Sequence, residues 1–249
     1  QKAEVILYRP TGESGDFEKA NFPIGVEGGK TSTCPTQNLM EAYDMKDGTP
    51  FVWNNQSDPY DNRDPRMKYT IVCNEMKWPV DPVEIWEGGT NGLPLQNATT
   101  TGYYLKKYVN NTISFEAGST VTKKQHNWVL FRYGEILLNY AEAMINAFHD
   151  PNYKDAVYNM SAREAVNQIR GRTNISLPGF PSDITEKDFV KRLKNERRVE
   201  LAFEGHRFWD VRRWKELGQT ANIYGVKITK NNEVISYETF LLEPRAATD

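Results

Sequence analysis

Cysteine is nearly absent: the 249-residue chain holds two, Cys34 and Cys73. Two thiols build neither a disulfide framework nor a four-thiolate zinc site, and they leave open one bridge or none. No apolar run approaches the ~18 residues of a membrane-spanning helix, and the mean hydropathy is −0.68. Neither sign of charge prevails, with 31 basic against 33 acidic residues and a net charge of −2. A nucleic-acid-binding domain normally carries a basic excess, so no nucleic-acid partner is expected. Glycine and proline, 17 and 13, sit at the globular average, which excludes collagen-like and low-complexity chains. Catalytic fingerprints are missing too. His126, His149 and His206 make no paired metal-ligand spacing, and there is no nucleophile elbow, phosphate-binding loop or dinucleotide fingerprint. No cofactor is implied.

Aromatics are what the chain has in quantity: 12% of all residues, against an overall hydrophobic share of 39%. Aromatic weight without aliphatic weight predicts a broad, partly exposed aromatic surface. The length suits one large domain or two ordinary ones. The chain opens on Gln1 rather than Met and reads as a fragment or a processed product.

Two halves differ in character. Residues 1–127 form a loop-rich subdomain punctuated by Gly and Pro, with one short helix at Gln37–Tyr43 capped by Thr36. Short extended pieces are expected at Glu4–Tyr8, Lys68–Cys73 and Gly102–Val109. Loops this long in a compact domain tend to be functional. Residues 128–249 read as a helical region that ends in a hairpin. In Trp128–Phe148, Leu130, Gly134, Leu137, Ala141, Met144 and Phe148 fall on one helical stripe, with small residues that let a neighbouring helix approach. Ser161 and Glu164 make a capping box for the next helix. Thr185 caps a third, running to about Glu204, and a fourth spans His206–Leu217 with Gly218 as its C-cap. The hairpin pairs Ile223–Ile228 with Val234–Leu242 around Lys230–Asn232.

Three clusters are candidates for chemistry. In Asn195–Trp214, Arg197 and Glu200, Glu204 and Arg207, Arg207 and Asp210, and Asp210 and Arg213 stand three apart. Carboxylates so paired are poor proton donors, and the segment reads as a structural salt-bridge network with Trp209 and Trp214 as core anchors. In Asp58–Arg66, Asp58, Asn62 and Asp64 are oxygen donors at loop spacing, open to calcium or to Asx-turns before each proline. The third cluster is aromatic. Trp53, Tyr60, Trp78 and Trp86 stand in polar, Pro/Gly-rich loops, where flat rings can stack on sugars. The alternative is that each ring plugs its own loop onto the body.

The run from Trp128 through Phe131-Arg132-Tyr133-Gly134-Glu135-Ile136-Leu137-Leu138-Asn139-Tyr140-Ala141-Glu142-Ala143 resembles a signature helix of the SusD/RagB family. Val166–Arg172 and Asn195–Trp214 match further motifs of that family. So do Pro35–Leu39, Met45–Gly48, Asp64–Arg66 and Thr101–Tyr104, all in the family's order over about residues 33–214. The resemblance implies a mainly α fold: a tetratricopeptide-like α-α superhelix with a loop-rich subdomain and a few short strands. It implies a surface lipoprotein of the Bacteroidetes outer membrane. Such proteins capture glycans and pass them to a SusC-like TonB-dependent transporter. Family members are about twice as long, and the lipid anchor lies in the missing N-terminal part.

The expectation is therefore non-catalytic glycan capture, with Trp53, Tyr60, Trp78 and Trp86 on the ligand and no metal. Two rivals stand beside it: a purely structural or transporter-docking fragment, and a glycoside hydrolase, which needs two carboxylates flanking a cleft.

Overall fold

The computed structural model describes residues 4–54, 58–116 and 122–245. In chain order its elements are β1 (Val5–Ser14), α1 (Asp16–Asn21), α2 (Gln37–Ala42), α3 (Pro65–Thr70), β2 (Ile71–Val72), β3 (Tyr104–Leu105), β4 (Lys124–Arg132), α4 (Tyr133–Phe148), α5 (Ala162–Arg170), α6 (Glu186–Glu200), α7 (Arg207–Arg213), a 3-10 turn at Leu217–Thr220, β5 (Asn222–Asn231) and β6 (Val234–Pro244). The strands form antiparallel pairs β1–β4, β2–β3 and β5–β6.

The mainly α expectation does not hold: 29% of the described residues are helical and 21% are in strands. The largest difference falls at residues 124–132. The helix expected from Trp128 is extended up to Arg132, with Trp128 opposite Arg9 and Phe131 opposite Leu7. Trp-Val-Leu-Phe favours strand, and β1 supplies the backbone partners that override the three-four spacing. Helix begins only at Tyr133. Farther on, α6 stops at Glu200, before Phe203 and Gly205 adopt positive φ of 61° and 83°. Helix α7 stops at Arg213, where Lys215 at φ 56° turns the chain, and Gly218 lies inside the 3-10 turn. Lys68–Thr70, expected to be extended, closes α3, which starts with Pro65 at N1 and the Asp64 carboxylate accepting from the Arg66 N–H at 2.9 Å.

Local signals elsewhere match. The Thr36 side chain caps α2. Ser161 and Glu164 form a complete capping box on α5. Thr185 caps α6, accepting from the Asp188 N–H at 3.1 Å, and β5–β6 is the expected hairpin.

Two cores result. The first gathers Met40, Tyr43, Met67, Ile71, Tyr103 and Tyr104 from the loop-rich part, with Val226, Ile228 and Tyr237 from the β5–β6 hairpin. The second packs α4, α5 and α6 through Leu138, Ala141, Ile145, Ala162, Ala165, Val166 and Phe189. Fully buried alanines bring α4 and α5 close together. Ala143 and Ala147, by contrast, are exposed.

Helix α6 joins these cores by charge. Glu196 accepts from Arg66 at 2.5 Å and from Arg170 at 2.7 Å. Glu200 accepts from Arg66 at 2.9 Å, Arg132 at 2.7 Å and Arg172 at 2.8 Å. Just beyond the helix, Glu204 takes Arg132 at 2.8 Å and Lys107 at 2.6 Å. Burial alone would raise the Glu200 carboxyl, but Arg66, Arg132 and Arg172 outweigh it and hold it down to about 2. The structural network is thus present, but its partners come mostly from other elements. Of the four expected pairs three residues apart, the ion pair found among the described residues is Asp210–Arg213, at 2.9 Å. Gly134 serves the same network. A Cβ there would sit 2.6 Å from Arg132 Nη1, so glycine keeps room for the guanidinium rather than for another helix.

Candidate functional site

The loop aromatics are placed by the first core. Tyr60 and Trp78 are buried members of it, and Trp53 and Trp86 are partly buried and packed against it. The expectation of rings held outward is therefore corrected for Tyr60 and Trp78, at 6% and 7% exposed. The reason is that the Gly/Pro-rich loops fold over one shared core instead of standing clear of it. Lys106 Nζ lies 4.9 Å from the Trp78 ring, and Lys230 Nζ 4.3 Å from that of Trp86. Trp209, expected as a core anchor, is 66% exposed, whereas Trp214 is partly buried and donates its indole N–H to Glu142 at 2.8 Å.

Tyr60 borders a concave surface. A cavity of about 560 Å³ is walled by Tyr60, Cys73, Asn74, Met76 and Tyr237, with Asp58, Lys68, Glu75 and Glu233 at its exposed rim. Trp53, Trp78 and Trp86 are not among its lining residues. The wall is built from distant pieces of chain. Asp58 makes an Asx-turn, accepting from the Tyr60 N–H at 2.9 Å, and so fixes where the ring enters. The Tyr60 ring meets Tyr103 and Tyr237 edge-on, with centroids 6.1 and 5.4 Å apart. Asn74 Oδ1 accepts from the Ile85 N–H at 2.8 Å, and its amide donates to Tyr237 Oη at 3.4 Å.

The chemistry of this wall is that of recognition by hydroxyl and amide. Burial pushes the Tyr237 phenol up to about 12, so it stays a neutral hydroxyl at pH 7. Burial raises that of Tyr60 too, whose oxygen is sealed inside the protein, so this residue offers the wall its ring rather than its hydroxyl. Burial likewise pushes the Cys73 thiol up to about 12, which leaves little thiolate for nucleophilic work. Rim carboxylates can accept from ligand hydroxyls, while Lys68 and Asn74 can donate. Asp58 and Asp64 are engaged in their own turns, as the Asx reading expects. Both cysteines are free.

Sequence reasoning named Tyr60 but not Asn74 or Tyr237. No local signal distinguished them, because Asn74 sits in an ordinary loop and Tyr237 reads only as a strand residue. Open aromatic faces occur elsewhere, at Tyr69, Phe208 and Trp209.

A helical body joined by charge to a loop-rich core, with a polar and aromatic cavity on the loop side, is the class of scaffold defined by this geometry. Residues 5–240 match the SusD family, and the chain belongs to it. A SusD-like protein of Formosa agariphila is 37% identical over 91 residues, covering 34% of this chain and 16% of that protein. A SusD-like protein from Bacteroides fragilis superposes with a TM-score of 0.78 at 25% identity, over 98% of this chain and 49% of its own. A SusD-like carbohydrate-binding protein from the same species gives 0.72 at 26% identity, over 89% and 44%. The chain thus spans about half the length of these solved relatives.

Proposed function

We propose that this chain belongs to a non-catalytic glycan-capture protein. It works at the outer-membrane surface, held there by a lipid, and delivers its ligand to a SusC-like TonB-dependent transporter. The observation that carries this reading is the family match over residues 5–240. The carbohydrate-binding relative from Bacteroides fragilis supports it. Within the chain, residues 1–127 supply most of the ligand side, and the helices beyond 128 act as scaffold and transporter-docking surface. Tyr60 is the aromatic contact at the cavity. Trp53, Trp78 and Trp86 support the loops that shape it.

The test is retention of the protein in gels containing polysaccharides, run over a panel of neutral and acidic glycans. Glu75→Gln and Glu233→Gln alter exposed rim carboxylates and are expected to weaken retention several-fold with little change in melting temperature. If no glycan is retained while a SusC-like transporter is bound, the docking rival replaces capture. If reducing ends are released, the hydrolase reading replaces it. Retention unchanged in both rim variants would remove this cavity as the site.

A further inference from the structure

A second cavity, of about 580 Å³, opens between α2, α6 and the 3-10 turn, and six basic and four acidic side chains line it. Its acids are already engaged. Asp44 and Glu196 take Arg170 at 3.2 and 2.7 Å. Glu216 takes Lys194 at 2.5 Å and Gln219 at 2.6 Å, and Glu41 takes the Gln37 amide at 2.8 Å. Two of its arginines are not used up. Arg198, on α6, makes no hydrogen bond or ion pair among the described residues, although its α6 neighbours Arg192 and Arg197 are both paired. Arg207, on α7, spends one Nη2 donor on Gln219 at 2.7 Å. The same two arginines also line an adjoining cavity of about 350 Å³ with apolar walls, including Leu39 and Phe208.

Arg66, Arg132, Arg170, Arg172 and Arg197 are each met by carboxylates, and the buried Arg63 is held by the carbonyls of Pro59, Met40 and Tyr43. Arg198 has neither kind of partner among the described residues, and with Arg207 it lines both cavities. Burial, reinforced by the Arg207 charge, pushes the Arg198 guanidinium down to about 10, which still leaves it fully cationic at pH 7. Two like charges held together cost stability unless something anionic comes between them. Guanidinium forks match planar and tetrahedral oxyanions. Lys187 and Lys191, exposed at the rim, add attraction for an approaching anion. The carboxylate acting on Arg198 is Glu41, which makes no ion pair with it among the described residues. Those acting on Arg207 are Asp210 and Glu216, both already engaged by other cations.

We propose that Arg198 and Arg207 form a binding site for an oxyanion, the carboxylate or sulfate of an acidic sugar, in the cavity between α2, α6 and α7. The sugar carrier rests on the capture reading; the anion contact does not. The site is separate from the Tyr60 cavity, since the two share no lining residue.

The test is calorimetric titration of the intact chain with a galacturonate tetrasaccharide, a sulfated carrageenan tetrasaccharide, a neutral cellotetraose and sodium sulfate alone. Wild type is expected to bind at least one acidic oligosaccharide, with an affinity that falls as salt rises. Arg198→Gln should weaken that binding ~10-fold or more and leave cellotetraose untouched. Its melting temperature should hold or rise, because an unpaired charge has been removed. Arg198→Lys should fall between the two. If Arg198→Gln does not fold, Arg207→Gln is read in the same way. The acidic probe that responds separates carboxylate from sulfate. The proposal is overturned if neither acidic probe binds, or if a folded variant binds them as wild type does. Loss of neutral-glycan binding in the Tyr60 rim variants would bear on the capture reading alone.

Discussion

The two cores of this chain are closed by different means. Around the helices, closure is electrostatic: Glu196, Glu200 and Glu204 each take at least two cations, and those cations come from residues 66, 107, 132, 170 and 172. In the loop-rich part, closure is aromatic: Tyr43, Tyr60, Trp78, Tyr103 and Tyr104 are buried beneath polar loops. The difference teaches where to look for function. Where every charge has its partner and every ring its neighbours, side chains hold shape. Two places depart from that pattern beside a cavity: the polar rim at Tyr60, and Arg198 with Arg207 where α6 and α7 line the second cavity.

The sharpest way to break the comparison is at Glu200. Glu200→Gln leaves Arg66, Arg132 and Arg172 short of a buried counter-charge, and should cost about 3–5 kcal/mol in denaturant unfolding at pH 7. Its pH dependence carries a definite sign. The folded carboxyl is held down to about 2 from an ordinary 4.5. A depressed carboxylate contributes its full stability above the ordinary value and loses it as pH falls toward the folded one. Glu196 and Glu204 are shifted down in the same sense, after burial is outweighed by their arginine and lysine partners. Asp44, raised by burial, acts the other way. Wild type should therefore lose stability steeply between about pH 5 and 2, and Glu200→Gln less steeply. Unfolding midpoints across that range check it; parallel curves would show that Glu200 is not the coupled group.

The loop core has its own breaking point at Trp78. Trp78→Ala should cost about 3 kcal/mol, near the lower end for a buried tryptophan, and lower the melting temperature clearly. A folded Trp78→Ala chain with unchanged melting temperature and weakened glycan retention would reverse the assignment and return the ring to the ligand.

What the sequence made legible follows the range of each interaction. The Ser161–Glu164 box, the Thr185 cap and the β5–β6 hairpin are local, decided within a few residues, and they appear where their patterns place them. Family motifs in order were legible for the same reason, each being a short string. The Glu200 partners were not, because Arg66 lies 134 residues away and spacing along α6 favoured neighbours three positions off. Trp128–Arg132 fits both a helical stripe and a strand, and only the presence of β1 decides. Depth was the hardest to read. A tryptophan between Lys77 and Pro79 looks exposed until the loops fold over it, and the Tyr60 cavity needs Asn74 and Tyr237 from other parts of the chain.

The smallest expected effect sharpens the comparison most finely, because it concerns a tryptophan on the electrostatic side. Trp209 lies on α7 between Phe208 and Asp210, and the network reading makes it an anchor. Its neighbour Asp210 is one: buried, it holds Arg197 at 2.8 Å and Arg213 at 2.9 Å. Trp209 itself points away, 66% exposed, with its ring edge-on to Phe208 at 4.9 Å and no place in either core. If charge rather than aromatic packing holds this end of the helices, Trp209→Ala should change stability by no more than about 0.5 kcal/mol. Asp210→Asn, one residue on, should cost several times more, since it strips two guanidinium groups of a buried counter-charge. Thermal unfolding of the two variants side by side decides the matter. A large loss at Trp209 and a small one at Asp210 would mean that rings, not ion pairs, close this half of the molecule as well.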